Sequence, residues 1–444
     1  MVTADPSAER RHTAKGRATR QRILQSAAEV ILAEGLSGLS MDKVRSAAAV
    51  SGSQLSYYYD DKQALIRAVL DRQIEVVLDF HRQPQLGGFE TFGDYERWID
   101  RNVRYLRRIG YVGTPTYHAL AGQLIKSDES TRATLGLGYQ RWIALFERSL
   151  QQMKDRGVLV AKARPADLAL VLVAAHQGGG TMTFTFRQEW PLTDALRFAV
   201  NNLRRFAADP AERVPRRPRR ARSRQEIRSG VMDSDEHERF TRKGLVTRAR
   251  IVDNAAKLMF VQGVVGTSLD DVRRAAGVSG SQLGHYFTDK RDLTRQVIAS
   301  RTSDVLAFHT QSPMAALDSV AALRAWASAA VADVDPVYLK GGCVYGSLVG
   351  ELLESDEEVL DDLAAGYGRW LSLFQSGFTA MRRKGELTSD ADPRHLAAVM
   401  VAAHQGGAML TYAMDSPESF GVVVGAAVDY AASFRQSPGK RTSR

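Results

Sequence analysis

Apolar residues recur every three to four positions along most of this chain. Over about 17–34, Ile23, Ala27, Val30 and Ile31, then Gly35, fall at the spacing of one helix face. Ser40-Met41-Asp42 reads as a cap and first turn, with the Asp42 carboxylate near the positive helix end. That short helix ends near Ala48, Val50-Ser51 forms a tight turn, and Ser51 caps a third short helix over 52–59. Two short helices joined by a tight turn are the signature of a helix-turn-helix. Further on, Trp142, Leu145, Phe146, Leu150 and Met153 form one face of a longer helix. Pro165 sits where a first helical turn tolerates proline, and Leu196, Ala199, Val200, Leu203 and Phe206 mark a last helix. No convincing strand alternation stands out, so the pattern predicts an all-α fold.

The pattern then repeats. Adding 228 to a position in 13–62 reaches its match in 241–290, and the Ala-Ala-His-Gln-Gly-Gly run at 174–179 returns at 402–407 in the same register. Ser268, Ser279 and residues 280–287 repeat the helix-turn-helix. Trp370, Leu373, Phe374, Phe378 and Met381 repeat the long face, Pro393 the proline, and Val424, Ala427, Val428, Ala431 and Phe434 the last helix. A solenoid unit is about 20–50 residues long, so this period is a whole protein duplicated and fused. The expected organisation is a basic mobile arm (1–15), a first helix-turn-helix domain (16–65) and a first helical region (66–207). A linker rich in Arg and Pro (208–240), a second helix-turn-helix domain (241–293), a second helical region (294–435) and a disordered tail (436–444) follow. The glycines at 178–180 and 406–407 would let two helices approach closely, which suits an interface between the halves of an intramolecular pseudo-dimer.

Composition narrows the partner. The formal net charge is +10 and the pI about 9.6, which favours a polyanion such as nucleic acid. Part of the excess is local: 211–228 holds eight Arg against two Glu, and that run reads either as a solvated tether or as a contact to DNA phosphate or minor groove. The single cysteine, Cys343, excludes a disulfide within the chain and a cysteine zinc site. It reads as a small buried residue or, alternatively, a redox sensor. The N-terminus has no apolar run of a signal peptide and no stretch approaches a membrane span, so a cytoplasmic location is expected. No metal-ligand spacing, phosphate-binding glycine loop or nucleophile–base motif is apparent; neither an enzyme nor a cofactor is expected.

A family resemblance rests on definite residues. A Thr-Arg pair opens the first helix (Thr19-Arg20, Thr247-Arg248), and a Gly precedes the second (Gly35, Gly263). The turn reads Ala-Ala-Val-Ser at 48–51 and Ala-Gly-Val-Ser at 276–279. An aromatic end to the third helix and then Asp-Lys close each unit at 57–62 and 285–290. These features resemble the DNA-binding domain of the TetR family of bacterial transcriptional regulators. The resemblance implies a helical ligand-binding and dimerisation domain after each helix-turn-helix, a palindromic operator and a small-molecule effector. Two departures stand out. The turn glycine of the family is Ala49 in copy one, and a tyrosine commonly placed on phosphate is Ser56 and Gly284 here.

A short helix with small residues at its start enters the major groove closely. Gly52, Ser53 and Gln54, with Gly280, Ser281 and Gln282, provide that start, and a Gln amide pairs with adenine. Tyr57 and His285 are candidates for base or methyl contact. Ser40, Ser53, Tyr58 and Lys62, with Ser268, Ser281, Tyr286 and Lys290, are candidates for phosphate, against helix capping or packing alone. In the middle helices, Trp142, Phe146, His176 and Gln177, with Trp370, Phe374, His404 and Gln405, line a ligand pocket or belong to the core. The His-Gln pairs alternatively bridge the halves. The leading functional reading is a DNA-binding repressor released by a small molecule and acting as a monomeric pseudo-dimer. The other is a helical ligand-binding scaffold without DNA binding.

Overall fold

The computed structural model describes residues 13–111, 116–126, 128–218, 240–312, 314, 316–353 and 356–436. The first half contains α1 (Ala14–Gly38), α2 (Met41–Ala47), α3 (Gly52–Tyr58) and α4 (Lys62–His81), then α5 (Phe92–Ile109) and α6 (Tyr117–Leu124). It closes with α7 (Glu129–Asp155), α8 (Pro165–Phe186) and α9 (Trp190–Arg204). The second half repeats the series as α10 (Arg242–Gly266), α11 (Leu269–Ala276), α12 (Gly280–Tyr286) and α13 (Lys290–His309). There follow α14 (Val320–Ala332), α15 (Val344–Leu352), α16 (Glu357–Arg383), α17 (Pro393–Met414) and α18 (Pro417–Ala432). Among the described residues the only β features are two isolated bridges, Leu159 with Ala207 and Leu387 with Arg435, so the fold is all-α. No helix among those residues is long and apolar enough to cross a membrane.

Local chemistry explains where the short helices start and stop. Ser40, Ser51, Ser268 and Ser279 each accept a backbone N–H at the third residue of the helix they precede. Gly35 (φ 70°) and Gly263 (φ 80°) kink the ends of α1 and α10, a left-handed backbone that glycine adopts without a Cβ clash. Arg22 Nε donates to Ala48 O at 2.8 Å and so ties α1 to the end of α2.

In each half a histidine anchors the helical core. His81 Nδ1 donates to Val77 O at 2.7 Å, and its Nε2 accepts from Trp98 Nε1 at 3.0 Å and Trp142 Nε1 at 3.3 Å. His309 repeats the arrangement with Val305 O at 2.7 Å, Trp326 at 3.0 Å and Trp370 at 2.9 Å. The halves meet where small residues allow it. A Cβ on Gly178 of α8 would lie 2.0 Å from Ala402 O of α17, and one on Gly406 would lie 1.9 Å from Ala174 O. Between α6 and α15, a Cβ on Gly122 would lie 2.4 Å from Gly350 O. Around this contact Asn201 Nδ2 donates to Tyr430 Oη at 3.0 Å, and His395 Nδ1 stands 3.3 Å from Asp194 Oδ1. Beside α6, the buried Lys126 ammonium lies 3.4 Å from Glu351 of α15.

The start of the linker differs from expectation. Residues 210–213 form a 3-10 turn, and the largely exposed segment to 218 is tied to the first half by hydrogen bonds. Asn201 exchanges two hydrogen bonds with the backbone of Arg216, at 2.9 and 3.0 Å, and Glu96 accepts from Arg197 and Arg204 with Arg216 at 3.6 Å. Proline limits helix but leaves carbonyls and side chains free to bond, which is why the segment is tied down without being a long element. The arm over 1–12, the rest of the arginine run over 219–239 and the tail over 437–444 lie outside the described residues.

Replacing Gly178 with Ala puts a methyl into a backbone carbonyl that no rotamer can avoid. The expected cost is about 3 kcal/mol or more. Gly425 lies in α18 with nothing within 4 Å of an added Cβ, so Gly425→Ala is expected to stabilise by roughly 0.5–1 kcal/mol through helix propensity. Urea unfolding of the two variants, followed by circular dichroism, measures the opposite signs.

Candidate nucleic-acid interface and cavity

α3 and α12 present the same leading surface. Gly52, Ser53, Gln54 and Tyr57 face solvent, as do Gly280, Ser281, Gln282 and His285. Gln54 closes a capping box: its backbone N–H donates to Ser51 Oγ at 3.1 Å while its Oε1 accepts from Ser51 N at 3.0 Å. Gln282 does the same with Ser279 at 3.1 and 2.9 Å. Each amide therefore keeps its NH2 group outward, and its oxygen is held by the helix start. The Ser53 and Ser281 hydroxyls lie 3.0 Å from those of the capping serines.

Other candidate residues also bond or pack within the protein. The Thr19 hydroxyl donates to Lys15 O at 3.0 Å and that of Thr247 to Lys243 O at 3.0 Å, each inside its own helix. Tyr58 Oη donates to Gly16 O at 3.1 Å, and Tyr286 packs on Phe240 with ring centroids 5.3 Å apart. Lys62 Nζ donates to Leu36 O at 2.8 Å and Lys290 Nζ to Val265 O at 3.3 Å; partial burial lowers both pKa values. Ser40 and Ser268 cap α2 and α11. Arg20 is exposed near Tyr59, while Arg248 lies 5.5 Å over the Phe287 ring. Tyr59 and Phe287 are core residues at 4% exposure each, as their matching positions imply. The turn preceding the reading helix needs a left-handed residue: Gly277 has φ 60° and Ala49 has φ 47°.

A cavity of about 190 Å³ lies among α4, α5, α6, α7, α8 and the start of α9. Phe80, Leu106, Trp142, His176, Phe184 and Leu192 supply most of its wall, with Gln73, Asn102, His118 and Gln177 as polar groups. His176 Nε2 donates to Asn102 Oδ1 at 3.1 Å, and His118 Nδ1 donates to Gln177 Oε1 at 2.8 Å. Burial lowers the pKa of both histidines, so the lining is neutral. Of the predicted pocket residues, Trp142, His176 and Gln177 meet here. Phe146 instead fills the core against Phe89 and Trp98 at 5.0 and 5.2 Å.

The second half is different. Phe374 packs on Trp326 at 5.0 Å and Trp370 is bonded to His309. His404 Nε2 lies 2.9 Å from Tyr338 Oη, and Gln405 Nε2 donates to Cys343 Sγ at 3.6 Å. Each His-Gln pair thus bonds within its own half. Cys343 is buried, which pushes its thiol pKa up and makes the reactive thiolate scarce. Gln73, Asn102, His118 and the His81–His309 anchors were not singled out from sequence. The Phe-His pair at 80–81, returning at 308–309, carried a visible signal for the anchors.

Parts of this chain are similar to known proteins. The family described as bacterial regulatory proteins, tetR family, matches residues 23–69 and again 251–297. The tetracyclin repressor-like C-terminal domain matches 319–426. The HTH-type transcriptional regulator SrpR of Pseudomonas putida is 35% identical over 79 residues, 18% of this chain and 36% of that protein. The chain thus spans about a third of that relative's length. The HTH-type transcriptional repressor KstR2 of Rhodococcus jostii (strain RHA1) is 23% identical over 33% of this chain and 70% of its own. The regulatory protein TetR from Rhodobacter sphaeroides superposes with TM-score 0.38 and 19% identity, over 42% of this chain and 98% of its own.

Ala49→Gly relieves the strained turn of the first reading head and is expected to stabilise that half by about 1 kcal/mol, read by urea unfolding. Acid should act through the core. Burial depresses the His81 and His309 pKa values to about 4 each. Both rings stay neutral in the fold, whereas in the unfolded chain they take up protons below about 6.5. Stability is therefore full above pH 6.5 and is lost as pH falls toward 4, by on the order of 3 kcal/mol per ring. Unfolding free energies at pH 7 and 4.5 check the sign.

Proposed function

Since the chain belongs to the TetR family of bacterial regulatory proteins and carries the family's N-terminal domain twice, we propose that it is a sequence-specific repressor. One chain does the work of a dimer, and a small-molecule effector in the helical region releases it from its operator in the bacterial cytoplasm. The observation that carries this reading is the pair of exposed recognition helices, α3 and α12, borne on halves that are packed together through α8 and α17. Two linked reading heads bind two half-sites with one association step, as the two subunits of a symmetric dimer do.

The heads are alike only at their starts. Residues 51–55 and 279–283 are identical, whereas Ser56-Tyr57-Tyr58-Tyr59 faces Gly284-His285-Tyr286-Phe287. A homodimer reads both half-sites with one surface; a fused chain is free to diverge. The operator is therefore an imperfect palindrome. The Gln54 and Gln282 amides select the same base in each half, and Tyr57 and His285 select different neighbours.

Selection from a random duplex library tests this: sites with perfect two-fold symmetry, or with none opposite the two Gln residues, would overturn it. Gln54→Ala and Gln282→Ala are each expected to cost about 1 kcal/mol of discrimination at one half-site, the low end for an amide whose oxygen is engaged in a cap. A uniform loss of affinity across all sequences would sink the direct-readout role.

A further inference from the structure

The two halves differ where an effector would bind. In the first half α5 runs unbroken from Phe92 to Ile109 and ends at Gly110 with φ 66°. In the second, α14 stops at Ala332, and Val334–Tyr338 forms a π turn. The cause is in the sequence: Pro336 stands where the first half has Arg108, and proline removes a helical N–H and displaces the chain. Tyr338 stands where the first half has Gly110, and the π turn carries its ring inward. That ring packs 4.5 Å from Phe420 and its hydroxyl lies 2.9 Å from His404 Nε2. Phe420 and His404 match Leu192 and His176, two walls of the first cavity. The second half therefore fills with its own phenol the space that the first half leaves open.

A second difference lies at the mouth. An open cleft of about 650 Å³ shares Val76, Phe80 and Tyr105 with the first cavity. It is lined by Arg72, Arg101, Arg104 and Arg108 against one carboxylate, Asp79, which is itself 3.4 Å from Arg82. Among the described residues none of the four arginines pairs with an acid. Arg101 donates to Gln83 at 2.7 Å, and Arg108 lies 5.3 Å over the Tyr105 ring. In the second half the four positions are Ser300, Ala329, Ala332 and Pro336, so every one of these charges is lost where the cavity is filled. Inside the first cavity Gln73 is 7% exposed, and among the described residues its amide has no hydrogen-bond partner.

We propose that effector binding is confined to the first half, and that the effector is a small organic anion. Its apolar, ring-sized body lies in the cavity, and its carboxylate lies on the arginines at the mouth. The size follows from volume: a dry apolar cavity of roughly 150 Å³ admits one benzene ring, and this one is somewhat larger. The sign follows from the unpaired guanidiniums, which bind carboxylate through charge-assisted hydrogen bonds. Tyr338 serves as the permanent occupant of the second site. One ligand per chain then acts on a pseudo-dimer, where a symmetric dimer would offer two sites. The inference rests on the effector-released regulator proposed above.

The test uses the full chain without DNA and 2-naphthoate as probe, with methyl 2-naphthoate as its uncharged partner, by isothermal titration calorimetry. One naphthoate per chain is expected. The double variant Arg72→Gln, Arg104→Gln should weaken naphthoate about tenfold or more and leave the ester within twofold. Tyr338→Ala should open a second site that takes phenol and raise phenol stoichiometry by one per chain. Two naphthoates per wild-type chain, equal loss of acid and ester in the arginine variant, or no binding of naphthoate each overturn the proposal. Because the titration omits DNA, a chain that takes up one naphthoate yet keeps its operator supports this inference and counts only against the release mechanism.

Discussion

The close approach of α8 and α17 is the constraint on which the rest depends. Gly178 and Gly406 each stand against the other helix's backbone carbonyl, at a distance where a single methyl would collide. Backbones this near bury most of both helices, and the surrounding pairs, Asn201 with Tyr430 and Asp194 with His395, are brought together only when the two halves are in register. Buried polar groups of this kind cost little when matched and much when slipped. The interface therefore sets where α3 and α12 sit relative to one another, although neither is near it in sequence.

Fusion changes what such an interface permits. In a symmetric dimer every substitution appears twice, so a residue that suits one half-site or one pocket is imposed on the other. Here the reading helices share their capping serine and first four residues and part company after them. The helical regions share the His-Trp-Trp anchors of His81 and His309, yet one keeps a cavity and the other holds Tyr338 in its place. What stayed alike is what each half needs in order to fold. What diverged is the exposed end of the third helix in each half and the lining of the helical region.

The anchors also show how core chemistry constrains the cavity. Each histidine accepts from two indoles and donates to a backbone carbonyl, which holds one neutral tautomer. Trp142 is both such a donor and a cavity wall, so the pocket is built directly on the core and its shape is as rigid as the packing beneath it.

Much of this was legible in the chain itself. The duplication, the all-helical pattern, the serine caps at 40, 51, 268 and 279, the left-handed turn at Ala49 and Gly277, and the core place of Tyr59 and Phe287 are all local or internally repeated signals. A cap involves residues three apart and a helix face residues three or four apart, so sequence order is enough to determine them. Lys62 and Tyr58 read as phosphate contacts because their types suit that role; tertiary structure placed the carbonyls of Leu36 and Gly16 within their reach. The cavity, its filling by Tyr338, the ring of four arginines and the tied-down start of the linker were likewise decided only in three dimensions. Each depends on side chains from elements tens of residues apart converging on one point, and on a π turn whose direction no periodicity encodes.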